Sequence, residues 1–106
     1  MVMVKRLRHK YGARPTVANG RRYDSKADAR YAQSLEIRRL SGEVVMYLEQ
    51  VPIRLPGGTV YRCDFVEFLA SGDVRFVDVK GVETDSFKIK KCEIEALYPI
   101  EIEVVK

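Results

Sequence analysis

The chain has only two cysteines, Cys63 and Cys92, and a single histidine, His9. Two cysteines are too few for a disulfide framework or for a zinc site made of thiolates. They are expected to be reduced, in an intracellular protein, as core or half-buried fillers. A lone histidine in an irregular basic stretch argues against imidazole-based acid–base chemistry. No apolar run approaches the roughly 18 residues that a membrane helix needs. Residues Met1 to Arg6 lack the long apolar region and small-residue cleavage site of a secretory signal, so none is expected there. No internal repeat or low-complexity tract interrupts the chain.

What is present is the composition of an ordinary globular protein: 106 residues, 46% apolar and 32% charged. A chain of this length is expected to form one domain and to bury roughly two-thirds of its unfolded surface. The net charge of +4 hides an asymmetry. Residues 1–40 carry eleven Lys/Arg against three Asp/Glu, and residues 41–106 carry eight against twelve. A basic half joined to an acidic half points to a polyanionic partner, and nucleic acid is the commonest one.

Residues 1–23 show no clean periodicity and read as a basic arm, with a hairpin at Asn19-Gly20. Ser25, with Asp28 three residues on, predicts the start of a helix that runs to Leu40 and stops at Ser41-Gly42. Its inward stripe is expected from Tyr31, Ala32, Leu35 and Leu40. Strands are predicted over 44–55, 59–69 and 74–80, separated by Pro56-Gly57-Gly58 and Ser71-Gly72-Asp73, as an antiparallel meander. A second helix is predicted over 86–98, with Phe87, Ile94, Leu97 and Tyr98 inward and Pro99 ending it. The alternation from Ile100 to Val105 predicts a last strand, parallel to its neighbour because a helix separates the two. The expected fold is α/β (α+β): one mixed sheet flanked by helices, in the order αβββαβ.

Asp78 and Lys80 lie two apart on the third strand and so share a face near its end. Asp64, on the second strand, is expected on the face of Val60, Val66 and Phe68, close to Asp78 if the register permits. Two close carboxylates repel unless a cation lies between them, and a hard divalent ion held by carboxylates, a carbonyl and waters would meet that need. Asp28 tops the apolar face of the first helix and can supply a third carboxylate. Gln50, late in the first strand, is a polar candidate for orienting a ligand or water. Each residue also has a structural role open to it. Asp28 can serve the Ser25 cap, Asp78 and Lys80 can form a surface pair, Asp64 can pair with Arg62 or a backbone amide, and Gln50 can face solvent before Pro52.

The ordered set Asp28, Asp64 and Asp78-Val79-Lys80 resembles the PD-(D/E)XK nuclease superfamily, with its restriction-endonuclease-like fold. More narrowly, the chain resembles small phage-encoded nucleases through Lys10-Tyr11-Gly12-Ala13, Tyr23-Asp24-Ser25-Lys26, Gln50-Val51-Pro52, Asp64-Phe65 and Asp78 to Gly81. The local pattern is also similar to that of archaeal-type junction resolvases. The helix acid of such families is usually glutamate. Here Asp28 is one methylene shorter, which would route its contact to a metal through water.

The resemblance implies Mg²⁺-dependent hydrolysis of DNA phosphodiesters, with Mn²⁺ substituting and no organic cofactor. It implies metal ligands at Asp64, Asp78, the Val79 carbonyl and Asp28, with Lys80 and Gln50 completing the catalytic set. Lys10, Arg14, Arg21, Arg22, Lys26, Arg30, Lys88, Lys90 and Lys91 would grip the DNA backbone. By analogy the protein would be a homodimer acting on branched DNA, in the cytoplasm of a bacterial host if phage-encoded, with no membrane partner. Two other readings stay open on the residues alone: a catalytically inactive nucleic-acid-binding module of the same fold, and a docking subunit whose acids are surface pairs.

Overall fold

The structure, a computed structural model, describes residues 16–106. Lys10, Arg14, His9, the Lys10-Tyr11-Gly12-Ala13 segment and most of the basic arm lie outside the described residues. The chain divides into two compact units at the Glu36/Ile37 boundary, inside the first helix.

The N-terminal unit opens with a hairpin, β1 (Thr16–Ala18) and β2 (Arg21–Tyr23), paired antiparallel. Asn19 and Gly20, both at positive φ, turn it, as the Asn-Gly signal predicts. The Asn19 side chain donates to the Ala32 carbonyl at 3.0 Å, which ties the turn to helix α1 (Lys26–Leu40). Ser25 Oγ accepts from the Asp28 N–H at 3.1 Å and caps that helix. Ala29, Ala32 and Leu35 are its buried residues. Leu40 was expected on the same stripe but, as the last residue of the helix, is 73% exposed. Gly42 N–H bonds to Arg39 O and Glu43 N–H to Arg38 O, the paired bonds of a Schellman stop with glycine at positive φ.

The C-terminal unit holds a four-stranded sheet in the order β3 (Val44–Arg54), β4 (Val60–Leu69), β5 (Val74–Val79), β6 (Ile102–Val105). The first three strands form an antiparallel meander. Helix α2 (Asp85–Leu97) crosses over, and β6 returns parallel to β5. The fold is thus mixed α+β, and from α1 onward its elements run αβββαβ. Thr84 Oγ1 caps α2 by accepting from Phe87 N–H at 3.2 Å. One apolar cluster joins Leu55, Tyr61, Cys63, Val66 and Ile102 to Phe87 and Ile94 of α2. Leu97 and Tyr98, expected inward, are exposed instead: α2 ends at Leu97, and the Tyr98 hydroxyl reaches out to donate to Arg54 O. Cys63 is buried as expected, whereas Cys92 is exposed. Among the described residues no helix is long and apolar enough to cross a membrane.

Strict alternation along β4 does not hold. Tyr61 and Cys63 line the apolar cluster from one half of the strand, and Val66 and Phe68 line it from the other. The change of parity falls at Asp64-Phe65. Directly opposite, by the β3–β4 register, Gln50 sits at φ 53°. Residues other than glycine rarely adopt that conformation. The expectation that Asp64 shares a face with Val66 and Phe68 is corrected by this local distortion.

Candidate functional site

The β4–β5 register runs from Phe68↔Val74 to Phe65↔Val77, and the next opposed residues are Asp64 and Asp78. There the carboxylates take over the work of the ladder. Asp78 Oδ1 accepts from the Asp64 backbone N–H at 3.0 Å, and Asp64 Oδ2 accepts from the Val79 N–H at 2.9 Å. Gln50 Nε2 donates to Asp64 Oδ1 at 3.3 Å. The next backbone N–H, that of Lys80, donates to Val105 O of β6 at 2.9 Å. The backbone-amide role considered for Asp64 is therefore real, and it is what draws the two acids together. Asp64, Asp78, Gln50, Val79 and Lys80 meet where the β4–β5 ladder ends.

Asp78 is fully buried and Asp64 half-buried. Burial pushes both carboxyls above the ordinary carboxylate range. The backbone N–H groups they accept from, and the nearby Lys80 ammonium, pull the other way without cancelling it. Asp78 Oδ2 is buried with no hydrogen-bond partner among the described residues. A buried carboxylate oxygen left without a donor is costly unless something else satisfies it.

The side-chain acceptors of this corner are all oxygens, those of the Asp64 and Asp78 carboxylates. That set fits a hard divalent ion such as Mg²⁺ or Mn²⁺ with waters completing the shell, and the unsatisfied Asp78 Oδ2 is where the fit is most direct. Among the described residues no three His, Cys, Asp or Glu side chains gather as a metal-holding cluster. Asp28 lies in the first turn of α1, in the N-terminal unit, half-buried and carrying the Ser25 cap bond. Cys63, next to Asp64 on β4, donates its thiol to Phe65 O and Val77 O. Burial pushes its pKa up to about 11, which leaves it inert as a nucleophile.

Of the basic residues, Arg21 and Arg22 are exposed on β2, and Lys26 and Arg30 on α1. In the C-terminal unit Lys88 is exposed on α2, Lys90 is half-buried, and Lys91 pairs with Glu95 at 3.1 Å. The Glu95 carboxylate also accepts from Ile102 N–H at 2.8 Å, and that bond is the main reason its pKa is lowered.

Two features escaped the reading of the sequence. Glu67, fully buried on β4, pairs with Arg38 at 3.1 Å and Arg75 at 3.2 Å. Its signal was a single charge inside the run Phe65-Val66-Glu67-Phe68-Leu69. Phe87 was expected only as a core residue, yet the Lys80 ammonium lies 4.9 Å from its ring centroid.

No curated protein and no solved structure matches the chain. Residues 8–105 match the family described as a protein of unknown function, DUF1064, and the chain belongs to that family.

Proposed function

We propose that this DUF1064 member is a metal-dependent endonuclease of the PD-(D/E)XK kind that hydrolyses DNA phosphodiester bonds, with branched or junction DNA as its substrate. The observation that carries the reading is Asp78 Oδ2, buried and without a donor, beside Asp64 and two residues before Lys80. A divalent cation bound there supplies positive charge against the phosphoryl oxygens and lowers the pKa of water in its shell. Asp64 and Asp78 would hold it, with the Val79 carbonyl as the further donor that the resemblance implies. The Lys80 ammonium, a three-donor point charge, orients the attacking water and offsets the charge that grows on the phosphate. Gln50 fixes the Asp64 carboxylate through its own hydrogen bond. Water oxygen bonds to phosphorus as the bond to the 3′ oxygen breaks. The products are a 5′-phosphate and a 3′-hydroxyl, the water's second proton passing to solvent.

Arg21, Arg22, Lys26, Arg30, Lys88, Lys90 and Lys91, with Lys10 and Arg14, hold the phosphate backbone in this reading. A homodimer would supply the two sites that a junction needs, in the cytoplasm of a bacterial host if the protein is phage-encoded. Aspartate at position 28, where such families usually carry glutamate, favours one rival, a nucleic-acid-binding module without turnover. A cleavage panel decides between them: linear duplex, single strand, flap and four-way junction, each with Mg²⁺, Mn²⁺ or EDTA. Metal-dependent cutting that is lost in Asp78→Asn is the expected result. Binding without cutting of any substrate in either metal, unchanged by Asp78→Asn, leaves the binding module.

A further inference from the structure

We propose that Phe87 is a positioning residue for Lys80: its ring is a platform that holds the ammonium beside the paired aspartates. The inference rests on the nuclease reading for its catalytic meaning and on geometry for its substance. Lys80 is anchored at its backbone by the 2.9 Å bond to Val105 O, just past the end of β5. From there its ammonium lies over the Phe87 ring, 4.9 Å from the centroid, within the range where a cation is attracted to the face of an aromatic ring. A lysine side chain has four rotatable bonds and, without such a contact, many conformations.

The platform is itself held. Phe87 N–H bonds to the Thr84 cap, and the ring is buried in the core cluster, tilted against Tyr61 with centroids 6.3 Å apart. The same ring thus packs in the core cluster and meets the ammonium. The Lys80 charge already acts on both Asp64 and Asp78, so a cation fixed on Phe87 stays near the pair. The first turn of α2 is part of the site's support, although no residue of that turn supplies a metal donor. Leucine at position 87 would fill much of the same apolar space but offer no ring face. Tyrosine would keep the face.

The test uses the full chain with ¹³C-labelled lysine, Lys80 being assigned by its disappearance in Lys80→Arg. In the wild-type protein the Lys80 Hε protons are expected upfield of the other lysines, shifted by the ring current. The shift is expected to vanish in Phe87→Leu and to persist in Phe87→Tyr. Junction cleavage is expected to fall about tenfold in kcat with KM unchanged in Phe87→Leu, and to stay within about twofold in Phe87→Tyr. A Lys80 shift like that of the other lysines in the wild type overturns the proposal, whether or not any variant folds. So does a shift that survives in Phe87→Leu. If the wild-type chain cuts no DNA, the nuclease reading fails, and the ring-current shift still decides the contact.

Discussion

The two central strands carry a buried acid toward each end, and the two ends treat it in opposite ways. Glu67, three residues from Asp64 on β4, lies across from Arg75 on β5 and is also reached by Arg38 from the last turn of α1. The chain itself supplies two guanidinium groups there. Asp78, at the other end, has one oxygen on a backbone N–H and the other on nothing among the described residues. Its nearest cation, Lys80, is drawn toward an aromatic ring. A buried carboxylate must be matched by positive charge or donors. Where the protein provides the match, the acid is structural. Where it does not, the acid keeps an unmet demand for positive charge or a donor, and the proposed metal site rests on that contrast within a single strand pair.

The sharpest way to break the contrast is to neutralise the unmatched acid. Asp78→Asn keeps an acceptor for the Asp64 N–H and removes a charge that burial disfavours, so stability is expected to hold or rise. Cleavage is expected to fall about 10²–10³-fold, the usual loss for one charge-stabilising group. Mg²⁺ should raise the Tm of the wild type and leave that of Asp78→Asn unmoved. Equal metal-induced shifts in the two proteins would place the ion elsewhere.

The converse change is Glu67→Gln. It strands Arg38 and Arg75 beside a neutral amide and is expected to cost about 3 kcal/mol of stability by denaturant unfolding. Cleavage per folded molecule should not change, since none of these residues meets the aspartate pair. A variant that unfolds at the wild-type midpoint, or folds normally and loses activity, would erase the distinction between the two ends.

Much of this architecture was legible in the sequence because local chemistry and global fold agree. Asn19-Gly20, the Ser25 cap, Gly42 and Pro99 all punctuate the chain where the elements turn or end. The acids on β4 and β5 were legible because a period of two places them near one strand end. Periodicity cannot show a broken alternation. Nothing in Gln50-Val51-Pro52 announces that Gln50 takes a positive φ, so the face of Asp64 was misassigned. Glu67 was missed because its partners are remote in sequence, one on α1 and one on the next strand. Leu40, Leu97 and Tyr98 were expected inward because a helical stripe says nothing about where the helix stops.

Tyr61 supplies a control for what an unsatisfied oxygen means. Its hydroxyl is buried in the apolar cluster with no partner among the described residues, yet it belongs to a phenol and not to a carboxylate. Tyr61→Phe removes the unsatisfied group and keeps the ring that backs Phe87. Stability is expected to rise by about 1 kcal/mol, with cleavage unaltered. A loss of activity on removing this one oxygen would mean that the hydroxyl serves the site, and that the Asp78 corner extends into the core.

The smallest effect should come from the rim of the matched end. Arg75 also pairs with Glu103 on β6, at 3.2 Å from its Nε, and that hydrogen bond is the main reason the Glu103 pKa is lowered. A carboxylate with a lowered folded-state pKa stabilises the fold above its unfolded pKa, near about pH 4.3, and loses that contribution as the pH falls through the folded value. Glu103→Gln should therefore be slightly less stable than the wild type at pH 7, and the gap should close in acid. Because Glu103 is exposed, water screens the pair and the gap should be a few tenths of a kcal/mol. Arg75 keeps Glu67 in either case, so the buried acid remains matched. A gap at pH 7 as large as that of Glu67→Gln would show that the outer glutamate holds Arg75 in place, and that the buried match depends on its exposed rim.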